Sequence, residues 1–466
     1  MLNRCQQVFR SWKRVYDILK LVYRNSTNAL RGRLRSDLSE YEAKAMPSRT
    51  RAKCLLLFLR QMRSVKFFFL VSCTSFAISL LWVQLAVREN QPESTESLVQ
   101  EALENVAKDF RYKDVYRKTN RLPKDFKYIL LWTSTAFAPL YYLGNGQRAF
   151  LKNNCSVVDC YVTANRYFFG GSLTKFDAIA FNGRNLNPFD LPGERSRHQK
   201  YIFFDMESAD NYPICEPQLD GFFNWTATYR LDSDIPVPYI IIRDRSGKVV
   251  GPKLNMKWKE DMAEVGDEFA YRIENKTKAA AWFVSHCRTR SGRLGFAEAL
   301  KTALLPYGFT VDVYGLCGSL QCPRNKQSDC DFLLKRDYFF YLALENSFDR
   351  DYVTEKLLTA LQHDVVPILY GGADYSRFLP PGSYIDGRKQ SVTQLAALMD
   401  RLMHAPKDYS QFFQWKPYYT YHNPSGVENV CALCEALHNK EKVQETTIYE
   451  NFREWWNADY EIRCDD

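Results

Sequence analysis

The chain has 466 residues, 46% of them hydrophobic and 15% aromatic, so it is too long for one core and too aromatic for a disordered protein. The net charge of +9 comes from the amino end: residues 1–66 hold 16 Lys and Arg against 4 Asp and Glu, a balance of +12, and the remainder carries −3. Because the basicity is confined to one end, the composition argues against a nucleic-acid partner.

An uncharged apolar segment of 21 residues, 67–87, follows the basic end. At ~1.5 Å per residue, a helix of that length reaches roughly 31 Å, which is enough to cross a bilayer core. A buried core helix and a cleaved signal peptide are the alternatives, but the run is long for a signal peptide and begins far from the initiator Met. By the positive-inside rule, we predict a cytoplasmic basic tail at 1–66 and a transmembrane signal-anchor at 67–87.

Residues 88–125 are polar and rich in Glu, Ser and Lys, so we predict a partly helical stem that contributes little to a core. Three Asn-X-Ser/Thr sequons lie beyond the anchor, at Asn154, Asn224 and Asn275. They are glycosylation candidates because the predicted topology makes that side luminal. A fourth sequon, at Asn25, falls on the cytosolic side and is expected to stay unmodified.

Ten of the 13 cysteines also lie beyond the predicted anchor. An even number in an oxidising compartment favours disulfides, whose pairing the sequence leaves open. Cys431 and Cys434, followed by His438, could instead begin a zinc site. No second Cys/His pair with finger spacing completes that site, so disulfides are the preferred interpretation.

From residue 126 onward, short apolar runs are bounded by turn residues. The strands predicted in this half are 127–132, 160–163, 178–181 and 201–204. Strands at such spacing, with connecting segments between them, suggest an α/β sheet, although its helices are hard to place. We assign residues 126–275 to a first α/β domain.

The second half alternates strands and helices more clearly. The predicted strands are 279–285, 309–314, 338–344 and 365–370, the predicted helices are 293–305 and 354–361, and a cysteine-laced loop occupies 317–330. This alternation predicts a parallel, Rossmann-like nucleotide-binding domain at 276–440, followed by a tail at 441–466 that packs on the catalytic domain. Two such domains behind a membrane anchor indicate the GT-B-type architecture, in which two Rossmann-like lobes face each other across a ligand cleft.

Two cations begin predicted helices at the ends of strands in the second domain. Lys356 lies in the first turn of the helix at 354–361, and Arg293 opens the helix at 293–305. Cations at helix starts suit a departing diphosphate, although both could be solvated surface charges. Glu207 follows the strand at 201–204, where a carboxylate could act as a general base.

Two longer strings resemble the signature of the α1,3-fucosyltransferases, glycosyltransferase family 10, and of its invertebrate members in particular. Within 341–370 these are Glu-Asn-Ser, Asp-Tyr-Val-Thr-Glu-Lys and Val-Pro, and at 223–234 Phe-Asn-Trp-Thr-Ala-Thr-Tyr-Arg-Leu-Asp-Ser-Asp. Leu344 stands where the family usually has Phe, and Ala209 where it usually has Pro. The resemblance is strong over 203–386.

The resemblance implies roles for seven residues. Glu207 would be the catalytic base, while Arg293 and Lys356 would contact the donor phosphates. Glu355 would bind the ribose hydroxyls; without the resemblance it is a carboxylate stabilised by a helix dipole. The other donor-site residues that the resemblance implies are Asn346, Tyr352 and, with a weaker match, Ser285.

Three Asp-x-Asp pairs could chelate a divalent ion, as in another glycosyltransferase architecture. These are Asp232/Asp234, Asp329/Asp331 and Asp349/Asp351. Pairs this short arise often by chance, and the family signature includes the first pair without making it a metal site. We predict no metal ligands and no tightly bound cofactor, while stimulation by a divalent ion such as Mn²⁺ stays open.

The resemblance implies an inverting α1,3-fucosyltransferase that moves L-fucose from GDP-β-L-fucose to N-acetylglucosamine of a glycoprotein or glycolipid glycan. The reaction would be one displacement, with GDP-fucose and the glycan acceptor as partners and with 126–275 as the acceptor-side domain. The protein would be a single-pass type II protein of the Golgi membrane with a luminal catalytic domain. One alternative is fucosylation of the chitobiose core rather than an outer chain. The other is a catalytically silent, membrane-tethered glycan-binding protein.

Overall fold

The structure is a computed structural model, and it describes residues 72, 74–82, 94–266, 269, 272–273, 275–424, 426–457 and 464. The chain divides into two compact units, 1–92 and 93–466. The predicted cytoplasmic tail and most of the predicted anchor lie outside the described residues; residues 74–82 are helical. Within the described ranges, no helix is both long enough and apolar enough to cross a membrane.

The larger unit is built from two parallel sheets and a small antiparallel one. In the described residues the strands are β1 (Lys127–Leu131), β2 (Cys160–Thr163), β3 (Ala178–Asn182), β4 (Lys200–Asp205), β5 (Trp225–Thr228), β6 (Ile241–Asp244), β7 (Val249–Gly251), β8 (Lys278–Phe283), β9 (Val311–Tyr314), β10 (Tyr338–Leu344), β11 (Val366–Tyr370), β12 (Ile385–Asp386) and β13 (Tyr419–His422). The predicted strands are confirmed to within two residues at each end, while β5, β6, β7, β12 and β13 were not predicted.

Helices connect and cover these strands. In the described residues they are α1 (Thr95–Lys108), α2 (Phe110–Thr119), α3 (Leu140–Leu143), α4 (Arg148–Lys152), α5 (Arg293–Leu304), α6 (Gln327–Asp337), α7 (Glu355–Gln362), α8 (Val392–His404), α9 (Pro406–Gln411), α10 (Gly426–His438), α11 (Lys440–Gln444) and α12 (Phe452–Trp456). The predicted helices at 293–305 and 354–361 are confirmed as α5 and α7. Helix α6 begins inside the segment that was predicted to be a loop.

The first sheet has the strand order β2-β1-β3-β4-β5, and all its neighbours are parallel. Strand β4 is buried along its whole length, as expected for a parallel strand covered on both faces. Its Phe203 packs edge-to-face against Phe452 and Trp456 of α12, each with ring centroids 4.8 Å apart. Residues from the carboxyl end of the chain therefore complete the core of the first lobe.

The second sheet has the order β12-β11-β10-β8-β9 and is also parallel. Strand β10 is its continuous apolar centre, with both faces covered by separate hydrophobic clusters. The antiparallel strands β13, β6 and β7 contribute to one of these clusters through Ile242 and Tyr421. Since parallel strands end on the same edge, the loops after β8 and β10 meet at one edge of the sheet.

The stem prediction was partly wrong. The segment forms α1 and α2, but Ala102, Val106 and Val115 of these helices are buried in the core of the first lobe. The apolar residues of α1 recur at helical spacing, so the helix can present one stripe to the sheet although the segment as a whole is polar. This segment is therefore part of the folded unit and contributes to its core, which a spacer would not do.

The carboxyl-terminal helices correct the predicted domain boundary at 440. Val430, Leu433 and Leu437 of α10 are buried in the first-lobe core, although the sequence placed this region in the second domain. Five disulfides confirm the disulfide prediction, and three of them join the carboxyl-terminal region to the first lobe. The pairs are Cys155–Cys431, Cys160–Cys434, Cys215–Cys464, Cys287–Cys317 and Cys322–Cys330.

Candidate active site

A cavity of about 700 Å³ opens at the carboxyl edge of the second sheet. All seven residues predicted for the catalytic and donor sites lie on its wall: Glu207, Ser285, Arg293, Asn346, Tyr352, Glu355 and Lys356. Glu207 comes from the loop after β4 of the first sheet, and the others come from the second half of the chain. Residues more than 140 positions apart in sequence thus share one cleft, which is consistent with a ligand site between two lobes.

The cationic side of the cleft is centred on Lys356 in the first turn of α7. Its ammonium lies 3.1 Å from Glu345 Oε2 and donates to Thr354 Oγ1 at 2.6 Å. Burial alone would lower the pKa of Lys356, but the neighbouring carboxylates of Glu345 and Glu355 raise it above its usual value. The lysine therefore remains charged, at a helix start whose free N–H groups also favour an anion.

Glu345 supports Lys356 and Thr354 in these positions. Its side chain is only 3% exposed. It accepts both the backbone N–H and the hydroxyl of Thr354, each at 2.9 Å. A buried carboxylate with this many donors is a rigid support for Lys356 rather than a group free to bind solvent. Glu345 is the Glu of the family string Glu-Asn-Ser, but no role was predicted for it from the sequence.

Arg293 lines the cleft but is largely buried. It donates to the carbonyl oxygens of Leu344 at 2.8 Å and His286 at 2.9 Å, which ties α5 to the end of β10. Its Nε–H is buried without a hydrogen-bond partner in the protein. Desolvation lowers the pKa of Arg293, against the opposing effect of Glu345. The guanidinium still carries its charge, so it adds a positive field beside Lys356 and retains donors for a ligand.

Glu207 lies on the opposite wall, half-buried. Tyr352 donates its hydroxyl to Glu207 Oε2 at 3.4 Å, and Arg184 lies 3.9 Å from Oε1. Tyr239, which also lines the cavity, donates to the carbonyl of Met206. The carboxylate is thus oriented by weak, long contacts and keeps lone pairs that could accept a proton from a ligand.

The carboxyl of Asp205 lies directly behind Glu207. Its Oδ1 accepts the backbone N–H of Glu207 at 2.7 Å, whereas its buried Oδ2 has no hydrogen-bond partner. Burial raises the pKa of Asp205 to about 8, so this group is mostly protonated at neutral and mildly acidic pH. A neutral Asp205 can fix the backbone of Glu207 without adding a second negative charge to the site.

The loops after β4 and β5 contact the loop after β10, and these contacts fix the position of Glu207 relative to the cationic side of the cleft. The buried hydroxyls of Ser208 and Ser347 are 2.5 Å apart. Tyr229 donates to Asp349 Oδ2 at 3.0 Å, and its ring packs edge-to-face on Tyr352 at 4.9 Å. Because these groups are buried and mutually satisfied, they set the relative position of Glu207 and the cationic wall.

Two further cavities meet at Glu207. One of about 550 Å³ also contacts Tyr212, Arg288 and Asn346. The other, of about 330 Å³, contacts Tyr142, Arg184 and Tyr239. Glu207 therefore borders three spaces at once, as a base must if it is to reach an acceptor on one side and a donor on the other.

The Asp-x-Asp pairs do not form a common metal site. Asp232 is paired with Arg230 at 2.8 Å and Arg350 at 3.2 Å, and Asp351 accepts from Arg377 at 2.7 Å. Of the six carboxylates only that of Asp331 lines the large cavity, and its partners are described below. Asp232 and Asp351 are thus engaged by arginines rather than open to a divalent ion.

The zinc interpretation of the carboxyl-terminal cysteines is not supported. Cys160 and Cys434 lie within reach of His438, but the two sulfurs are joined to each other in a disulfide. Cys431 is likewise paired with Cys155. Disulfide sulfurs are not thiolates and do not bind zinc as such.

The three sequons differ sharply in accessibility. Asn154 and Asn275 are exposed. Asn224 is buried, and its amide nitrogen donates to the carbonyl of Thr447 at 3.0 Å. A glycan on that nitrogen is incompatible with this fold, so the structure argues against the predicted modification of Asn224.

Comparison with known proteins identifies relatives. Residues 124–240 match the family model "Fucosyltransferase, N-terminal", and residues 273–455 match "Glycosyltransferase family 10 (fucosyltransferase) C-term". The chain is 39% identical over 310 residues to Alpha-(1,3)-fucosyltransferase C of Drosophila melanogaster. The aligned region covers 65% of this chain and 70% of the relative.

Other relatives match the chain at lower sequence identity. Glycoprotein 3-alpha-L-fucosyltransferase A of the same fly is 32% identical, over 67% of this chain and 57% of the relative. A crystal structure of an alpha1,3-fucosyltransferase with GDP-fucose aligns with 15% identity and a TM-score of 0.42, covering 68% of this chain and 91% of that one.

Proposed function

Because the chain belongs to glycosyltransferase family 10, the fucosyltransferases, we propose that it transfers L-fucose from GDP-β-L-fucose to N-acetylglucosamine of a glycan, in α1,3 linkage. The observation that carries this proposal is the convergence of all seven predicted site residues on one cavity. A general base on one wall and two cations on the other are what the transfer of a sugar from a nucleoside diphosphate requires. The two facing parallel lobes suit a GT-B-type arrangement.

The proposed reaction is a single displacement with inversion. An acceptor hydroxyl attacks the anomeric carbon of fucose as the bond from that carbon to the GDP oxygen breaks. Glu207 takes the hydroxyl proton. GDP leaves with the bonding electron pair, and the added negative charge is offset by Lys356 and Arg293. No covalent bond to the protein forms.

Three features of the cleft support this assignment of roles. Lys356 is kept charged by Glu345. Glu207 is not held in a strong ion pair, since its nearest cation lies 3.9 Å away. Asp205, whose Oδ1 accepts the backbone N–H of Glu207, is neutral and so adds no second negative charge to the site. In this reading Glu355, at the exposed start of α7, would bind the ribose hydroxyls.

We further propose a Golgi location, with the catalytic unit luminal and anchored by residues 67–87. The apolar composition of that segment and the excess of Lys and Arg before it support this topology. The disulfides of the larger unit suit an oxidising compartment. The acceptor could be an outer chain on a glycoprotein or glycolipid, or the chitobiose core of an N-glycan. Metal titration would test whether a divalent ion such as Mn²⁺ stimulates transfer.

The test is transfer itself. The full chain in detergent would be incubated with GDP-fucose and a panel of N-glycans and lactosamine-type acceptors. We expect one acceptor class to gain the mass of one deoxyhexose, and Glu207→Gln to abolish the gain while still binding GDP. The exposed Glu194→Gln serves as a matched control that should behave as wild type. A folded wild-type protein that binds glycans but neither transfers fucose nor binds GDP would favour the silent glycan-binding protein.

A further inference from the structure

The large cavity extends well beyond the groups that the proposed reaction uses. It follows helix α7 from Lys356 in the first turn to His363, just after the last residue of the helix. Eight helical residues span ~12 Å, a length comparable to that of an extended nucleoside diphosphate. Because Lys356 marks the phosphate end, the far end at His363 lies where the base of the nucleotide would reach.

Asp331 is the carboxylate at that far end. Besides Asp331, only Glu207 and Glu355 among the cavity-lining residues carry a carboxylate, and both lie near the start of α7. The side chain of Asp331 is 27% exposed and comes from the second turn of α6. An acidic group there has no part in binding a diphosphate, since it would repel it.

Gln327 holds Asp331 in place by a hydrogen bond, and His363 lies next to it. Gln327 Nε2, one turn earlier on α6, donates to Asp331 Oδ1 at 2.8 Å. His363 Nδ1 donates to the carbonyl of Thr359 at 2.7 Å, which turns Nε2 towards Asp331 Oδ2 at 3.8 Å. A carboxylate has about four lone-pair positions, so both oxygens of Asp331 can accept further hydrogen bonds from a ligand in the cavity.

The cavity also has an aromatic wall, and Tyr341 in that wall lies near both Thr359 and Asp331. Phe283, half-buried at the end of β8, and Tyr341 of β10 both line it, with ring centroids 5.5 Å apart. Aromatic rings are surfaces on which a nucleobase stacks, while its edge is read by hydrogen-bonding groups. An aromatic wall next to a fixed carboxylate therefore combines both elements of base recognition.

We propose that Asp331 reads the guanine of the donor, accepting the N1–H and the 2-amino N–H with its two oxygens. This inference rests on the proposed function, because it takes GDP as the nucleotide. Guanine presents two adjacent donors on that edge, which match the two oxygens of one carboxylate. Adenine presents an acceptor at N1 and has no 2-amino group, so it would leave Asp331 unpaired. Asp331 is in this view a specificity-determining residue.

The proposal predicts a change of specificity, which a merely structural role would not produce. In Asp331→Asn one oxygen becomes an amide N–H₂. The side chain then accepts from N1–H but donates at the second position, which matches the C2 oxygen of xanthine instead of the amino group of guanine. One good bidentate pair discriminates between bases by about 10- to 100-fold. We expect the variant to lose about that much affinity for GDP and to bind xanthosine diphosphate more tightly than wild type does.

The measurement is calorimetric titration of the full chain with GDP, ADP and xanthosine diphosphate. Asp329→Asn, on the same helix but exposed and outside the cavity, is the matched control and should retain wild-type affinities. If Asp331→Asn keeps its GDP affinity, or loses it with no gain for xanthosine diphosphate, guanine reading by Asp331 is refuted. If the folded wild-type protein binds none of the three nucleotides, the proposed function itself fails, and this inference fails with it.

Discussion

A substitution of Glu345 tests how Lys356 is kept protonated and in place in the cleft. The residue makes no direct contact with a ligand in our proposal, yet it accepts from Thr354 at 2.9 Å and lies 3.1 Å from Lys356 Nζ. The change Glu345→Gln keeps the size and one acceptor oxygen. It replaces the negative oxygen that faces Lys356 with either a neutral oxygen or an amide donor, and it removes the charge that keeps the lysine protonated.

The magnitude follows from burial. A hydrogen bond to a charged group contributes ~1.5–3 kcal/mol, and Glu345 is 3% exposed, so solvent screens this one little. In Glu345→Gln the ammonium is no longer held in place before GDP arrives, so we expect about this free energy, ~2 kcal/mol, to be lost from GDP binding, which is roughly a 30-fold weaker affinity. Lys356 also loses the carboxylate that raises its pKa against the effect of burial, so its pKa should fall in the variant.

The assay is GDP affinity measured from pH 6 to pH 10. We expect wild type to hold its affinity into the alkaline range, because Lys356 stays protonated, and Glu345→Gln to lose affinity at a lower pH. Glu298→Gln, on the exposed face of α5, controls for the loss of one negative charge from the surface. If Glu345→Gln binds GDP as tightly as wild type with the same pH dependence, the support of Lys356 by Glu345 is refuted.

Three further predictions concern stability and modification. The double change Cys155→Ser and Cys431→Ser should lower the free energy of unfolding by about 2–5 kcal/mol, because the disulfide closes a loop across 276 residues. An unchanged melting temperature would contradict this prediction. Asp205→Asn should gain stability relative to wild type as pH rises from about 4 to 8. The folded protein binds the Asp205 proton up to about pH 8, whereas the unfolded chain releases it near pH 4. The free energy of unfolding of wild type therefore falls by up to ~1.4 kcal/mol per pH unit in this range. Melting temperatures of the two proteins that change in parallel with pH would refute this prediction. In secreted protein, Asn154→Gln should remove one glycan in a mobility assay, while Asn224→Gln should remove none, since that amide is buried.

The local elements could be predicted from the sequence because each is encoded by contiguous residues. Strand β10 is an unbroken apolar run, which a parallel strand buried on both faces requires. Helix α7 has apolar residues at helical spacing and begins beside Thr354 and Glu355. The same contiguous segments carry the family motifs, so the family could be recognised without coordinates.

The joining of distant segments could not be predicted in this way. Helix α10 packs into the first lobe and is tied to Cys155 and Cys160, 276 and 274 residues away. Cysteine spacing does not encode pairing, because any of ten cysteines can pair with any other until the chain has folded. The stem helices were underestimated for a related reason: one apolar stripe is enough to dock a helix that is polar overall.

What the sequence by itself determined is eight of the strands, two of the helices, the charge of each segment and a set of seven candidate site residues. Only the tertiary structure decided that Glu207 faces Lys356 across one cavity, that Glu345 and Asp205 support them from behind, and that Asn224 is buried. The physical reason is that burial and electrostatic environment are set by neighbours in space. The residues adjacent to a carboxylate in the sequence do not show whether that carboxylate is solvated, paired with an ammonium or neutralised by burial.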